Sequence, residues 1–379
     1  MTNFDRIIDR RNTACIKWDK YKGRDVIPMW VADMDFEAPG PVTNAIIERA
    51  GHGVFGYTCE PDELEDVIVG MLETEYAWRI KPSWLVWLPG LVTGLNISCR
   101  AMPGKTVMTS IPVYPPFLSA PVNAGKRLVT TEHMVENGSY RFEYDAIEKS
   151  HTKDTDMFIL CNPQNPLGRV FSSEELNTLA EICLRRGMII CSDEIHCGLV
   201  LDKDKRHVPI ASLSEEIAAS TITLMAPSKT FNIPGLGFSF AVIPDEKIRK
   251  SFKKAMDGIV PHVNIFGYTA GLAAYRDCKD WHDSLIEYLG ENRDYLEESI
   301  SGIDGLSMNH VEATYLAWID CRELGLQNPA AFFEERGVGL SDGNDFGVKG
   351  FVRLNFGCPR AVIEEALGRI KKAVSDLER

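Results

Sequence analysis

The chain lacks any uninterrupted apolar run of membrane-spanning length, so no transmembrane helix is expected from its 379 residues. Its first ten residues, Met1-Thr-Asn-Phe-Asp-Arg-Ile-Ile-Asp-Arg10, carry charges where a secretory leader needs an apolar stretch. There is no basic excess. The formal charge of -13 argues against nucleic acid and anionic membrane surfaces as primary partners. Ten cysteines are scattered without a C-x-x-C pair, and eight histidines form no H-E-x-x-H or similar cluster, so no metal site is expected. Cys161, Cys183 and Cys191 lie in apolar segments, where free thiols pack as small hydrophobes. Internal repeats, low-complexity tracts and Ser/Gly linkers are also missing. The expectation is a protein of the reducing cytoplasm.

What is present is alternation. From about residue 84 to 244, short apolar runs alternate with helix-period segments, the pattern of βαβ units around a mostly parallel sheet with helices on both faces. Candidate strands are Trp84–Leu88, Thr106–Ser110, Met157–Leu160, Met188–Cys191, Thr221–Met225 and Phe238–Ile243. Ser172-Ser-Glu-Glu175 offers a capping box for the helix that follows, and Gly187 closes it after Arg185 and Arg186. The tail from about Trp281 to Arg379 is helix-rich, with a strand-like pair at Tyr315–Ile319 and Phe351–Leu354. The expected division is a large three-layer α/β/α domain over residues 45–275. A smaller α+β domain would combine residues 1–44 with 276–379.

Open parallel sheets bind ligands beyond the carboxyl ends of their strands. Reading those ends in turn gives Gly90 to Gly94, Tyr114, Asn165, Asp193 with His196, and Ser228-Lys229. A lysine just past a buried strand suits a Schiff-base amine, because burial disfavours its charged form. Gly90 and Gly94 would permit a tight turn whose N–H groups, around Val92 and Thr93, meet a phosphate at a helix start. Asp193 can keep a pyridine nitrogen protonated, although taken singly it fits a helix N-cap better. Asn165 and His196 can hydrogen-bond a ring oxygen. Tyr114, held extended ahead of Pro115, can stack on a ring face. Together these groups supply what pyridoxal 5'-phosphate requires.

Three motifs, Asn-Pro-x-Asn-Pro-x-Gly at 162–168, Asp-Glu-Ile-His at 193–196 and Ser-Lys-Thr-Phe-Asn at 228–232, carry a family likeness. On them the chain resembles fold-type I pyridoxal-phosphate enzymes of the class I/II aminotransferase superfamily. Phe4 to Thr13, Lys17 to Lys20, Pro28 to Phe36 and Val54 to Thr58 make it most similar to the cystathionine β-lyase-type C–S lyases, the MalY/PatB group. The resemblance implies that Lys229 carries the cofactor, that Asp193 partners its ring nitrogen and that Asn165 hydrogen-bonds its ring oxygen, while His196 stands where many aminotransferases keep a tyrosine. It further implies that Tyr114 stacks, that Ser228 and the Gly90–Thr93 turn hold phosphate, and that Arg353 grips the substrate carboxylate. Tyr57 is similar to a tyrosine that reaches the phosphate of a neighbouring subunit, so a homodimer with shared active sites is implied. The resemblance places Trp30, Asp33, Met34 and Asp35 near the substrate; for Trp30 and Asp33 a packed N-terminal arm is the equal alternative.

Departures from the general aminotransferase pattern favour the lyase group. Gly237 stands where many of those enzymes carry a phosphate-binding arginine, Ala226 where a serine is frequent, and Leu167 where a threonine is frequent. The expected reaction is cleavage of the Cβ–S bond of L-cysteine thioether conjugates to a thiol, pyruvate and ammonia. Tyr114 would help as acid near the departing sulfur, which asks for a phenol pKa tuned downward. The rivals are an aminotransferase using the same apparatus and a regulatory protein that retains the fold.

Overall fold

All six apolar runs form strands of one sheet; five are buried and paired on either side, while the run at Leu85–Leu88 is an edge strand. The computed structural model describes residues 2–377. In chain order the strands are β1 (Ile27–Pro28), β2 (Leu85–Leu88), β3 (Thr106–Ile111), β4 (Arg127–Glu136), β5 (Ser139–Phe142), β6 (Thr155–Cys161) and β7 (Ile189–Asp193). There follow β8 (Thr221–Met225), β9 (Ser239–Val242), β10 (Ser307–Met308), β11 (Leu316–Asp320), β12 (Val338–Gly339), β13 (Ser341–Asp342) and β14 (Phe351–Asn355). The large sheet has the order β2-β9-β8-β7-β6-β3-β4-β5.

The sheet is mixed at both ends. The strands from β8 through β7, β6 and β3 to β4 pair in parallel, while β9 runs antiparallel to both β8 and β2. The β8–β9 connection contains only a single 3-10 turn, Pro234–Leu236, and no crossover helix to return the chain in parallel. At the other edge β4 and β5 form a hairpin closed by Asn137 and Gly138, at φ 51° and 76°. This pair was not among the candidate strands, although Asn-Gly between apolar runs is a strong hairpin signal.

Helix ends follow the sequence closely. Ser172 and Glu175 form the reciprocal capping box of helix Ser173–Arg185, and Gly187 ends the segment at φ 66°. In the C-terminal part, β10-β11-β14-β13 make a small antiparallel sheet, with Trp318 opposite Arg353. The N-terminal chain joins this region through the parallel pairing of β1 with β12. Phe4, Ile27, Met29 and Met34 share one apolar core with Leu285, Leu289 and Leu296 of helix Lys279–Ser301.

Candidate active site

Lys229 lies in the turn after β8, half-buried, with its Nζ donating to the carbonyl oxygen of Ala32. Burial lowers its pKa to about 8; Asp33 and Asp193 pull it upward and Arg353 pushes it down. The same Ala32 oxygen accepts the hydroxyl of buried Tyr315 at 3.1 Å. Neither Ala32 nor Tyr315 was foreseen. A main-chain acceptor has no side-chain signature, and Tyr315 begins a segment that reads only as a core strand.

Arg353, on β14, is 4% exposed and has no carboxylate partner among the described residues. Its Nη1 donates to Asn165 Oδ1 at 3.0 Å, and its Nη2 to the Trp30 carbonyl at 2.7 Å. The Phe346 ring lies 4.8 Å from the guanidinium carbon. Burial lowers this guanidinium to about 10, a cost that only a nearby anion would remove. Tyr114 joins the same corner, since its N–H donates to the Asn165 carbonyl at 3.1 Å. Its phenol is raised by burial, opposed by Arg353. The downward tuning expected of it is therefore not found, and the group stays a neutral O–H.

Asp193 ends β7 instead of following it, paired in the ladder with Cys161 and Leu224. No helix begins there; its Oδ1 accepts the Ile195 N–H at 3.1 Å in a tight turn. Burial raises the carboxyl to about 7, partly countered by that hydrogen bond. His196 is buried, held well below its ordinary pKa by desolvation, and its Nδ1 has no partner among the described residues. Glu194 points to the other face of the sheet, where it accepts from Ser192 Oγ at 2.8 Å and meets His207 Nε2 at 2.7 Å. That pairing pins the strand end carrying Asp193.

The helix start after β2 corrects one expectation. Gly90 has an extended φ of 168° with open space around it, and Gly94 lies inside helix Leu91–Ala101. A Cβ on Gly94 would meet Leu224 Cδ2 at 2.9 Å, so this glycine serves close packing of helix on sheet, not the turn. The first intrahelical bond is Gly94 N–H to Gly90 O at 3.3 Å, which leaves the N–H groups of Leu91, exposed Val92 and Thr93 ahead of it. Ser228 is half-buried beside Lys229. Tyr57 is not brought into the crevice: it is fully exposed, as are much of Val54 and Phe55.

The departures have local causes. Gly237 adopts φ 63°, and a Cβ there would sit 3.1 Å from the Pro89 carbonyl, so a side chain is strained. Leu167 packs with Trp318, Phe346 and Phe351, and Ala226 is buried in the core under the sheet. Within the 30–36 segment, Trp30 gives its carbonyl to Arg353 and Met34 is buried, bonded through its backbone to Asn232. Asp33 and Asp35 are both engaged by Arg10 and Lys17, at 2.7 Å from Arg10 in each case.

Residues 24–370 match the family described as aminotransferase class I and II. The chain belongs to the class I and II aminotransferase family. Within it, the cystathionine β-lyase PatB of Bacillus subtilis is 38% identical over 387 residues, spanning 98% of this chain and all of that protein. The solved structure of OvoB superposes with a TM-score of 0.96 at 43% identity, covering 98% of this chain and 99% of its own. Cystalysin from Treponema denticola, which contains a pyridoxal 5'-phosphate cofactor, gives a TM-score of 0.95 at 31% identity over the full length of both chains. This aminotransferase-family chain thus has the fold-type I architecture, a large mostly parallel sheet beside a small antiparallel one. Its resemblance to the cystathionine β-lyase-type group extends over the whole sequence.

Proposed function

We propose that this chain is a pyridoxal-phosphate-dependent carbon–sulfur lyase that cleaves the Cβ–S bond of L-cysteine thioethers, with cystathionine-like compounds leading. The observation that carries the reading is the meeting of Lys229, whose Nζ donates to the Ala32 carbonyl, with buried Arg353, held by the Trp30 carbonyl and Asn165 Oδ1. The residues fit the cofactor. Among the described residues, His196 Nδ1 and Arg353 Nε are buried without partners, which costs free energy unless a bound group supplies them. Lys229 would hold the cofactor covalently, and Asp193 its ring nitrogen. Asn165 spends its Oδ1 on Arg353, which leaves its Nδ2 to donate, with His196, to the ring oxygen. Tyr114 would stack, while Ser228 and the N–H groups at Val92 and Thr93 hold phosphate.

When bound, the cofactor supplies an electron sink for the charge left at Cα. The remaining tasks fall to side chains. Arg353 orients the amino acid through its carboxylate, using a planar fork held by Asn165 and Trp30. Lys229 Nζ, neutral in a useful fraction near pH 7, takes the Cα proton. Tyr114, kept neutral by burial, would hydrogen-bond the sulfur as the Cβ–S bond breaks without giving up its proton, and the thiolate is protonated after release. With one water consumed, the products are a thiol, pyruvate and ammonia.

The reading extends to assembly and place. The exposed Val54, Phe55 and Tyr57 suit a homodimer in which Tyr57 reaches the neighbouring phosphate site. All ten cysteines are free, in keeping with a cytoplasmic compartment. The domain division proposed is 45–275 against 1–44 with 276–379, the first limit falling inside helix Gly40–Gly51. The test is pyruvate release from a panel of cysteine thioethers, disulfides and sulfoxides without any keto acid. Borohydride reduction and peptide mapping should place the cofactor on Lys229. Turnover only in the presence of a keto-acid acceptor would make the enzyme an aminotransferase instead.

A further inference from the structure

We propose that Arg10 and Lys17, on the N-terminal arm, are positioning residues that clamp the 30–36 segment from behind and through it set Lys229 and Arg353. The proposal rests on the site assigned above. The segment has no helix or strand of its own and is held by one backbone bond, Asp35 N–H to the Gly357 carbonyl, by Asn355 and Asn232, and by the side chains of the arm. On the crevice side, the Ala32 carbonyl receives Lys229 and the Trp30 carbonyl receives Arg353. On the far side, Arg10 Nη2 binds Asp33 Oδ2 at 2.7 Å, and Arg10 Nη1 binds Asp35 Oδ1 at 2.7 Å and the Met34 carbonyl at 3.1 Å. Lys17 Nζ binds Asp35 Oδ2 at 2.7 Å and the Asp33 carbonyl at 3.1 Å.

Lys17 is 1% exposed, and a buried ammonium is retained only where partners compensate it. Burial would lower its pKa, but Asp35 and Asp33 outweigh that and the net direction is upward. The two cations and two carboxylates thus form a neutral block directly behind the crevice. One member faces both ways. Asp33 is held by Arg10 and Lys17, yet its charge also favours protonated Lys229, as Asp193 does from β7, while Arg353 on β14 opposes both. Removing Arg10 therefore has two consequences: the segment loses an anchor, and the Asp33 charge acts on Lys229 with less compensation.

The experiment uses full-length protein freed of cofactor and follows the rate of Lys229 acetylation against pH, read by peptide mapping. The wild-type half-point is expected near 8. Arg10→Met should raise it by about one pH unit, Arg10→Lys should return it toward wild type, and Asp33→Asn should lower it. A folded Arg10→Met protein with the wild-type half-point would overturn the proposal. Should Arg10→Met not fold, an unchanged half-point in Asp33→Asn overturns it equally. A purely structural role for the arm would alter thermal stability without moving this titration. Failure of the cofactor assignment shows separately, as missing borohydride label on an amine that still titrates.

Discussion

Arg353 and Asn165 share a 3.0 Å hydrogen bond although 188 residues separate them, and this contact ties β14 to the loop after β6. It does not neutralise the arginine. A carbonyl, an amide oxygen and a ring face surround the guanidinium, so its positive charge is hydrogen-bonded but unpaired. Such a group is a poor contributor to stability and a strong recruiter of a carboxylate.

Arg353→Lys keeps the charge and removes the fork. The loss of one charge-assisted hydrogen bond, about 1.5–3 kcal/mol, should raise KM for the amino acid by about tenfold to a hundredfold. Cofactor content should be unchanged. Steady-state kinetics with the thioether panel and the absorption spectrum of the bound cofactor check both; unaltered KM would assign the carboxylate to another residue.

Stability should carry the imprint of Lys229. Its pKa falls from 10.5 to about 8 on folding, so between these values the unfolded chain binds more protons and stability rises with pH. Asp193 moves oppositely, from 3.8 to about 7, so its contribution is lost as pH rises through that window. The cofactor-free protein should be least stable between pH 7 and 8. Lys229→Met should stabilise it there by about 1–3 kcal/mol and abolish activity. Urea unfolding at pH 7 and pH 10 measures this, with the variant expected to lose the alkaline rise.

The strand-end chemistry was legible because β7 ends on Asp193 and the turn just after β8 carries Lys229, and a parallel sheet brings such ends to one edge. Backbone partners were not legible. Ala32 and Trp30 act through carbonyls, which any residue owns, and these are met by Lys229, Tyr315, Arg353 and Ser341 from segments remote in sequence. The antiparallel return of β9 was hidden by an apolar pattern that reads the same in either direction. Gly94 was misread for a related reason: a glycine needed for a turn and one needed for close packing look alike until Leu224 is seen against it.

Gly237 tests whether local backbone explains the missing arginine. A side chain at φ 63° costs about 1–2 kcal/mol, and the Pro89 carbonyl crowds a Cβ at 3.1 Å. Gly237→Ala should lower stability by about that amount. Gly237→Arg should be destabilised too, with no gain in affinity for pyridoxal phosphate by equilibrium dialysis. Tighter binding in the arginine variant would show that the turn relaxes cheaply and that another constraint excludes the charge.

Tyr57 gives the test of assembly. It is fully exposed in the single chain and far from Lys229 in sequence, flanked by exposed Val54 and Phe55. A side chain so placed gains nothing from its own chain, whereas an isologous two-fold dimer would bury the patch and bring Tyr57 to the partner's crevice. Lys229→Ala and Tyr57→Phe protomers should each be impaired as homodimers. After subunit exchange, some heterodimers would hold one site with both lesions and one with neither. Activity should then rise above that of either parent. Exchange verified by mass, with no rise in activity, would mean that Tyr57 works within its own chain or contributes little to phosphate binding.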